Sequence, residues 1–71
     1  MKLAKKYEDI KFHNYGDIEI SEPIAMASAA GWYVGSLCIE DGITMPYDRM
    51  TDYVATKEIA ESMVSAWSDE W

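Results

Sequence analysis

The segment SLCIEDGITMPYDRMTDY, residues 36–53, carries four carboxylates, Glu40, Asp41, Asp48 and Asp52, with Arg49 as the only base among them. Paired carboxylates can serve as general acid and base, provided they converge in a cleft that drives their pKa values apart. Here they are spread along what reads as a β-hairpin, and a solvated face explains them without special geometry. The other reactive side chains are isolated. His13 has no His or Cys at ligand spacing, and Asp41-Gly42 lacks the repeated acids and closing Glu of a calcium loop. Cys38 cannot form an internal disulfide; within an apolar run it reads as a small buried hydrophobe, in keeping with a reducing cytosol. Gly31, Gly35 and Gly42 do not make a phosphate-cradling loop, and Gly35 in mid-strand suits a close neighbour or a bulge. No catalytic residue, metal or cofactor is expected.

The charge balance says more. Thirteen acids face six bases, and four of those bases, Lys2, Lys5, Lys6 and Lys11, lie in the first eleven residues. From Phe12 onward eleven acids face only Arg49 and Lys57, a net charge of −9 over sixty residues. Such a body repels phosphates, which opposes direct binding to nucleic acid or to an anionic membrane and favours a basic partner. The 71 residues allow one small acidic domain spanning 1–71, and an apolar fraction of 49% with three Trp and five Tyr is too high for a disordered acidic tail. The start, MKLAKKYEDI, has lysines but lacks the apolar segment of a signal peptide, and no run approaches the ~18 apolar residues of a membrane span. A cytoplasmic chain is expected.

These side chains must be held by a small set of elements. Ile10, Phe12, Ile18 and Ile20 alternate with polar neighbours around NYGD, which predicts a first hairpin. In SEPIAMASAAG, Ser21 can cap a helix, Glu22 and Pro23 suit its first turn and Gly31 can end it. That predicts a short helix over residues 22–30, with a strand as the alternative. WYVGSLCIE, aromatic and β-branched on both alternating faces, predicts a central strand covered on two sides. Asp41-Gly42 then forms a two-residue turn with positive φ at both positions. Pro46 makes the returning strand an edge or bulged strand.

That turn sets a register in which Val34 faces Arg49, Ser36 faces Tyr47 and Cys38 faces Met45. One face would hold Trp32, Val34, Cys38, Met45, Tyr47 and Tyr53. The other would hold Tyr33, Leu37, Ile39, Met50 and Val54 with Asp48 and Asp52. After it, Thr56 caps a helix with an apolar stripe of Ile59, Ala60, Met63, Val64, Trp67 and, by extension, Trp71, while Glu58, Glu61, Ser62, Ser65 and Asp69 stay outside. The expected fold class is α+β: a small antiparallel β-sheet with a short central helix and a C-terminal amphipathic helix, in the order ββαββα.

The segment PYDRMTDYVATKEIAES, residues 46–62, resembles one found in small phage and prophage proteins: a tyrosine-bearing strand, a Thr, and a helix opening with Lys-Glu. With its size and acidity, the whole chain resembles the loose class of phage-encoded anti-defence proteins, which includes anti-CRISPR proteins and DNA-mimic inhibitors of restriction enzymes. The resemblance implies a non-enzymatic inhibitor that binds a basic nucleic-acid-binding protein or nuclease complex. Asp48, Asp52, Glu58 and Glu61 are the candidate phosphate mimics; at about 3.3 Å per residue, Asp48 and Asp52 lie roughly 13 Å apart on one strand face. Tyr47, Tyr53 and Trp71 are the candidate apolar anchors. Trp32, Tyr33 and Trp67 read as core, whereas Trp71 either folds back on the sheet or anchors a partner or second copy. The rival expectation is a regulatory adaptor or homodimer that joins through the aromatic sheet face, its acids serving only solubility.

Overall fold

The aromatic and β-branched run at the middle of the chain forms its longest strand, and the other elements are arranged around it. Strands β1 (Lys2–Leu3), β2 (Phe12–Tyr15), β3 (Ile18–Ser21), β4 (Ile24–Ser28), β5 (Gly31–Glu40) and β6 (Ile43–Arg49) are followed by helix α1 (Lys57–Ser68), and a 3-10 turn, Tyr7–Asp9, lies between β1 and β2. The computed structural model describes residues 2–68. Asp69 and Trp71, expected on the outer face and the apolar stripe of the helix, lie outside the described residues.

Every strand pairing is antiparallel, and the sheet curls as a half-barrel. Trp32 and Val34 direct their backbone groups at Val54 and Met50, so the even-numbered residues of β5 hydrogen-bond toward β6 and the odd-numbered ones toward β3 and β4. Along one edge of β5, therefore, β3 and β4 follow each other, with β2 and β1 outside them. Along the other edge, β6 is followed by the Trp32–Val54 bridge.

The expected ββαββα order with a central helix is incorrect: residues 24–28 form strand β4, and the protein is mostly antiparallel sheet with one C-terminal helix. The period is two. Ile24 and Met26 are buried on one face, Ala25 and Ala27 turn to the other. Ser21 does not cap a helix and Glu22 does not open one; their side chains serve a break between strands. Ser21 Oγ accepts the Leu37 N–H at 2.7 Å and donates to the Glu22 carbonyl at 2.8 Å, and Glu22 Oε2 accepts the Lys11 N–H at 2.9 Å. Pro23, which has no N–H, follows in the gap before β4.

A matching device serves the opposite edge of β5. Past the end of β6, Thr51 Oγ1 accepts the Val34 N–H at 3.0 Å and donates to the Asp52 carbonyl at 3.0 Å. Ser21 and Thr51 are both buried, and among the described residues no buried side-chain nitrogen or oxygen is left without a partner.

The alternation of β5 defines two faces. Tyr33 and Leu37 point to the core face, where they join Ile10, Ile24 and Met26, with Leu3 and Phe12 packed alongside. Residues 4–11 cross this face, held at one end by Ala4 N–H to the Ala25 carbonyl (3.0 Å) and over β6 by Tyr7 Oη and Thr44 Oγ1 at 2.8 Å. Val34 and Ala25 point to the opposite, helix face, where α1 packs on β4 and β5 and buries Ala60. Thr56 caps α1 as expected, its Oγ1 accepting the Ile59 N–H at 3.2 Å. Met63, Val64 and Trp67 are half-buried, whereas Ile59, expected in the same stripe, is 46% exposed.

The Asp41-Gly42 turn is present, with φ of 53° and 77°, the signs a two-residue type I′ hairpin turn requires. Its register holds only as far as Pro46. Cys38 faces Met45 and Leu37 faces Pro46, but Ser36 faces Asp48 and Gly35 faces Arg49, because Tyr47 is an extra residue in a bulge. The expected pairs Val34–Arg49 and Ser36–Tyr47 do not form. Gly35 makes this close approach possible: a Cβ there would collide with the Asp48 carbonyl oxygen and lie 2.9 Å from Met26 Cε and 3.0 Å from Tyr33 Cε2.

Two substitutions test this framework by urea denaturation. Gly35→Ala is expected to destabilise the fold by about 2–4 kcal/mol, since backbone must move to admit the methyl group. Ser21→Ala is expected to cost about 1–3 kcal/mol by leaving the Leu37 amide unpaired. Wild-type stability in either variant would show that β5 does not depend on these contacts.

Candidate functional site

The bulge at Tyr47 redistributes the carboxylates. Asp48, opposite Ser36, stands on the helix face and not with Tyr33 and Leu37 as expected, and its Oδ1 accepts the Arg49 N–H at 3.0 Å. Asp52 is fully exposed and lies 3.7 Å from Arg49 Nη1, a surface ion pair of little energetic weight. Arg49 is carried to the core-face side, where its guanidinium lies 4.9 Å above the Tyr53 ring and Tyr53 meets Tyr33 edge-on at 5.5 Å. Asp52 lies past the end of β6, so it does not share a strand with Asp48. Glu58 is exposed in the first turn of α1. Glu61 and Val64 line a shallow cleft with Lys5, Glu22, Pro23 and Ala25, on the β1–β4 side of the sheet and away from β6. Of the expected set Asp48, Asp52, Glu58 and Glu61, Glu61 thus stands on another side of the sheet from β6, where Asp48 lies. Of the expected anchors, Tyr47 is exposed at the bulge, Tyr53 is half engaged by Arg49 and Tyr33, and Trp71 lies outside the described residues.

Sequence pattern alone did not identify the surface that the sheet register builds. On the helix face, Tyr15, Ile18, Glu40 and Ile43 form one row across β2, β3, β5 and β6, and His13, Ile20, Cys38 and Met45 form the next. Among the described residues these rows stay partly open. Tyr15 is 56% exposed, Ile43 61% and Met45 37%. Cys38 is buried, in agreement with its reading as a small hydrophobe. The turns Gly16-Asp17 and Asp41-Gly42 sit side by side at this end of the sheet, so exposed Asp17 and Asp41 border these rows, exposed Glu40 stands within the first of them between Ile18 and Ile43, and Asp48 stands one row beyond Met45. No Lys or Arg occurs in the two rows or the two turns. The signal for this surface lies in the hydrophobic side chains of two hairpins, but it requires knowing that β2 and β3 join the same sheet as β5 and β6.

The amino-terminal lysines have a partly structural role. Glu22 Oε2 accepts from Lys5 Nζ at 2.8 Å and from the Lys11 backbone at 2.9 Å, and so ties down both ends of the segment that covers the core. Burial pushes the Glu22 carboxyl up, but the Lys5 hydrogen bond, the Lys11 N–H and the charges of both lysines outweigh it, and its pKa falls below the ordinary glutamate value. Among the described residues no three His, Cys, Asp or Glu side chains group closely enough to hold a metal ion, and no helix is long and apolar enough to cross a membrane.

Comparison with family models, with curated proteins and with solved structures returned no match.

The Glu22 clamp predicts a pH dependence. Because folding lowers this pKa, its stabilisation is complete above the unfolded value, near 4.5, and is lost as pH falls through the lower folded value. At pH 7, Glu22→Gln is expected to cost about 1–2 kcal/mol, a gap that closes on acidification below about pH 4.5. A gap that stays constant between pH 7 and pH 3 would remove the clamp from the stability of the fold.

Proposed function

We propose that the protein is a non-enzymatic inhibitor of phage or prophage origin, working in the bacterial cytoplasm without a cofactor. It binds a basic nucleic-acid-binding surface of a defence complex, of the anti-CRISPR or anti-restriction type, where phosphates would otherwise sit. The observation that supports this reading is the placement of Asp17, Glu40 and Asp41 at the turn end of one sheet face and of Asp48 two rows further along it, with no Lys or Arg in the rows between them and the apolar side chains of Tyr15, Ile18, Ile43 and Met45 beside them. Carboxylates fixed on turns and an edge strand present charge without first having to be ordered. Their field speeds encounter with a basic surface, and the apolar centre supplies residence. Asp48 keeps the role expected of it, whereas Asp52, Glu58 and Glu61 stand apart from this centre.

The exposed Tyr15, Ile43 and Met45 also favour a second reading, a regulatory adaptor or homodimer joined through this face. Light-scattering mass at two salt concentrations separates the two, because only the second gives a dimer.

The test is phage plating on bacteria that carry defined restriction or CRISPR systems, with and without the expressed protein. Wild-type protein is expected to raise plating on at least one defended strain, and the triple variant Asp17→Lys, Glu40→Lys, Asp48→Lys to lose that effect. Its association rate with the purified target nuclease is expected to fall at least about tenfold at low salt, with a shallower salt dependence. Failure to protect against any system, or full protection by the triple variant, refutes the proposal.

A further inference from the structure

The two rows on the helix face, apolar except for Glu40 and His13, identify what kind of element the partner would present. Four adjacent strands at about 4.8 Å spacing make a strip roughly 14 Å wide, and two rows along the strands lie roughly 7 Å apart. An α-helix is about 10 Å across with its side chains. One helix lying across the strands would cover both rows. The position beside them on the same face is already occupied in this way, since α1 packs over β4 and β5 and buries Ala25, Val34 and Ala60. A second helix would complete the layer that α1 begins, as two-layer sheet-and-helix packing requires.

Other occupants fit less well. Addition of a strand to the outer edge of β6 meets Pro46, which faces outward there: Met45 and Ile43 form the hydrogen-bonded pairs with Cys38 and Glu40, leaving Thr44 and Pro46 directed away from β5. Pro46 offers no N–H to an added strand. A second copy of the chain would bring further negative charge to a face that carries Asp17, Glu40, Asp41 and Asp48, since the body from Phe12 onward has a net charge of −9. A helix with an apolar stripe flanked by Lys or Arg matches both the centre and the border.

The geometry points to a docking site for a basic amphipathic helix of the partner protein, laid across Tyr15, Ile18, Ile20, Ile43 and Met45 alongside α1, with one of its bases set against Glu40, which stands between Ile18 and Ile43. This rests on the proposed binding of a basic partner and adds the element that is bound. A strip of this size makes a small interface, so an isolated helix is expected to bind in the micromolar range.

The probe is a synthetic peptide of about 14 residues with a Leu stripe flanked by Lys, a length that spans about 21 Å as a helix. It is compared with a scrambled peptide of the same composition and with a version carrying Glu for Lys, using amide chemical shifts of the 15N-labelled protein. The striped basic peptide is expected to shift the amides of the two rows and to bind at least about tenfold more tightly than either control. The double variant Ile43→Ser, Met45→Ser is expected to lose about tenfold in affinity with the α1 and β4 amides unchanged, and Tyr15→Ser to act in the same direction. Equal affinity for the scrambled peptide, shifts confined to other surfaces, or peptide-free dimerisation through these rows would overturn the docking site. In the plating assay, protection kept by the Ile43/Met45 variant but lost by the charge-reversed one would overturn the helix site and leave the inhibitor reading standing. Loss in both variants supports the helix site, and absence of protection by wild-type protein would remove the inhibitor reading beneath it.

Discussion

Strand β5 has neighbours on both edges, and both neighbours break before its end. Each break would strand a buried amide, and an unpaired one costs on the order of 1–3 kcal/mol, a large share of the stability of a small domain. Two hydroxyls prevent this. Ser21 takes the Leu37 N–H where β3 gives way to β4, and Thr51 takes the Val34 N–H where β6 gives way to the Val54 bridge. Each then donates its own proton to the next carbonyl of its chain, of Glu22 and Asp52, so each hydroxyl stands in for a missing stretch of ladder. With β5 satisfied, the flanking strands are free to change direction, and six short strands wrap as a half-barrel among the described residues.

The breaks also decide which side chains share a face. A one-residue slip exchanges the two faces of a strand, and the bulge at Tyr47 imposes such a slip on the end of β6. Asp48 goes to the helix face, while Arg49 goes to the core-face side and lies over Tyr53. Gly35 is what permits the bulge, because the Asp48 carbonyl comes in where any larger residue would have its Cβ. The electrostatic character of each surface thus follows from a backbone contact at a glycine, several residues away from the charges it distributes.

Much of this was legible in the sequence wherever the governing interaction is local. The Asp41-Gly42 turn, the Thr56 cap, the placing of Pro46 on an edge strand, the burial of Cys38 and the first hairpin all depend on residues within a few positions of one another. Strand β4 was misread because its local grammar is ambiguous: Ser21, Glu22 and Pro23 would suit a helix start, and Ala25, Ala27, Ala29 and Ala30 favour helix intrinsically. What decides is tertiary. The small side chains of Ala25 and Ala27 lie on the face where α1 packs, and Ser21 and Glu22 find their N–H partners in Leu37 and Lys11, 16 and 11 residues away. The displacement of Asp48 was illegible for the same reason, since it depends on how Gly35 meets a different strand. The candidate surface was legible in part: the acids and apolar side chains of the second hairpin stood out, but their union with Tyr15, Ile18 and Ile20 requires the β3–β5 pairing.

Apolar side chains stand on both faces of this sheet, and a chain of this size has little material to cover both. Its own residues 4–11 close the core face, fixed by Glu22 and by Tyr7 against Thr44. On the helix face α1 packs on β4 and β5, and among the described residues Tyr15, Ile43 and Met45 on that face are exposed. Such a surface invites self-association unless something opposes it. Here the opposition comes from Pro46 on the edge and from acids at Asp17, Glu40, Asp41 and Asp48 on this face. These carboxylates repel a second acidic copy and attract a basic segment through the same Coulomb interaction. Solubility and recognition are therefore not competing explanations of the acidic surface, and composition alone could not choose between them. On the proposed binding of a basic partner, their placement on a partly open face would let one set of charges serve both.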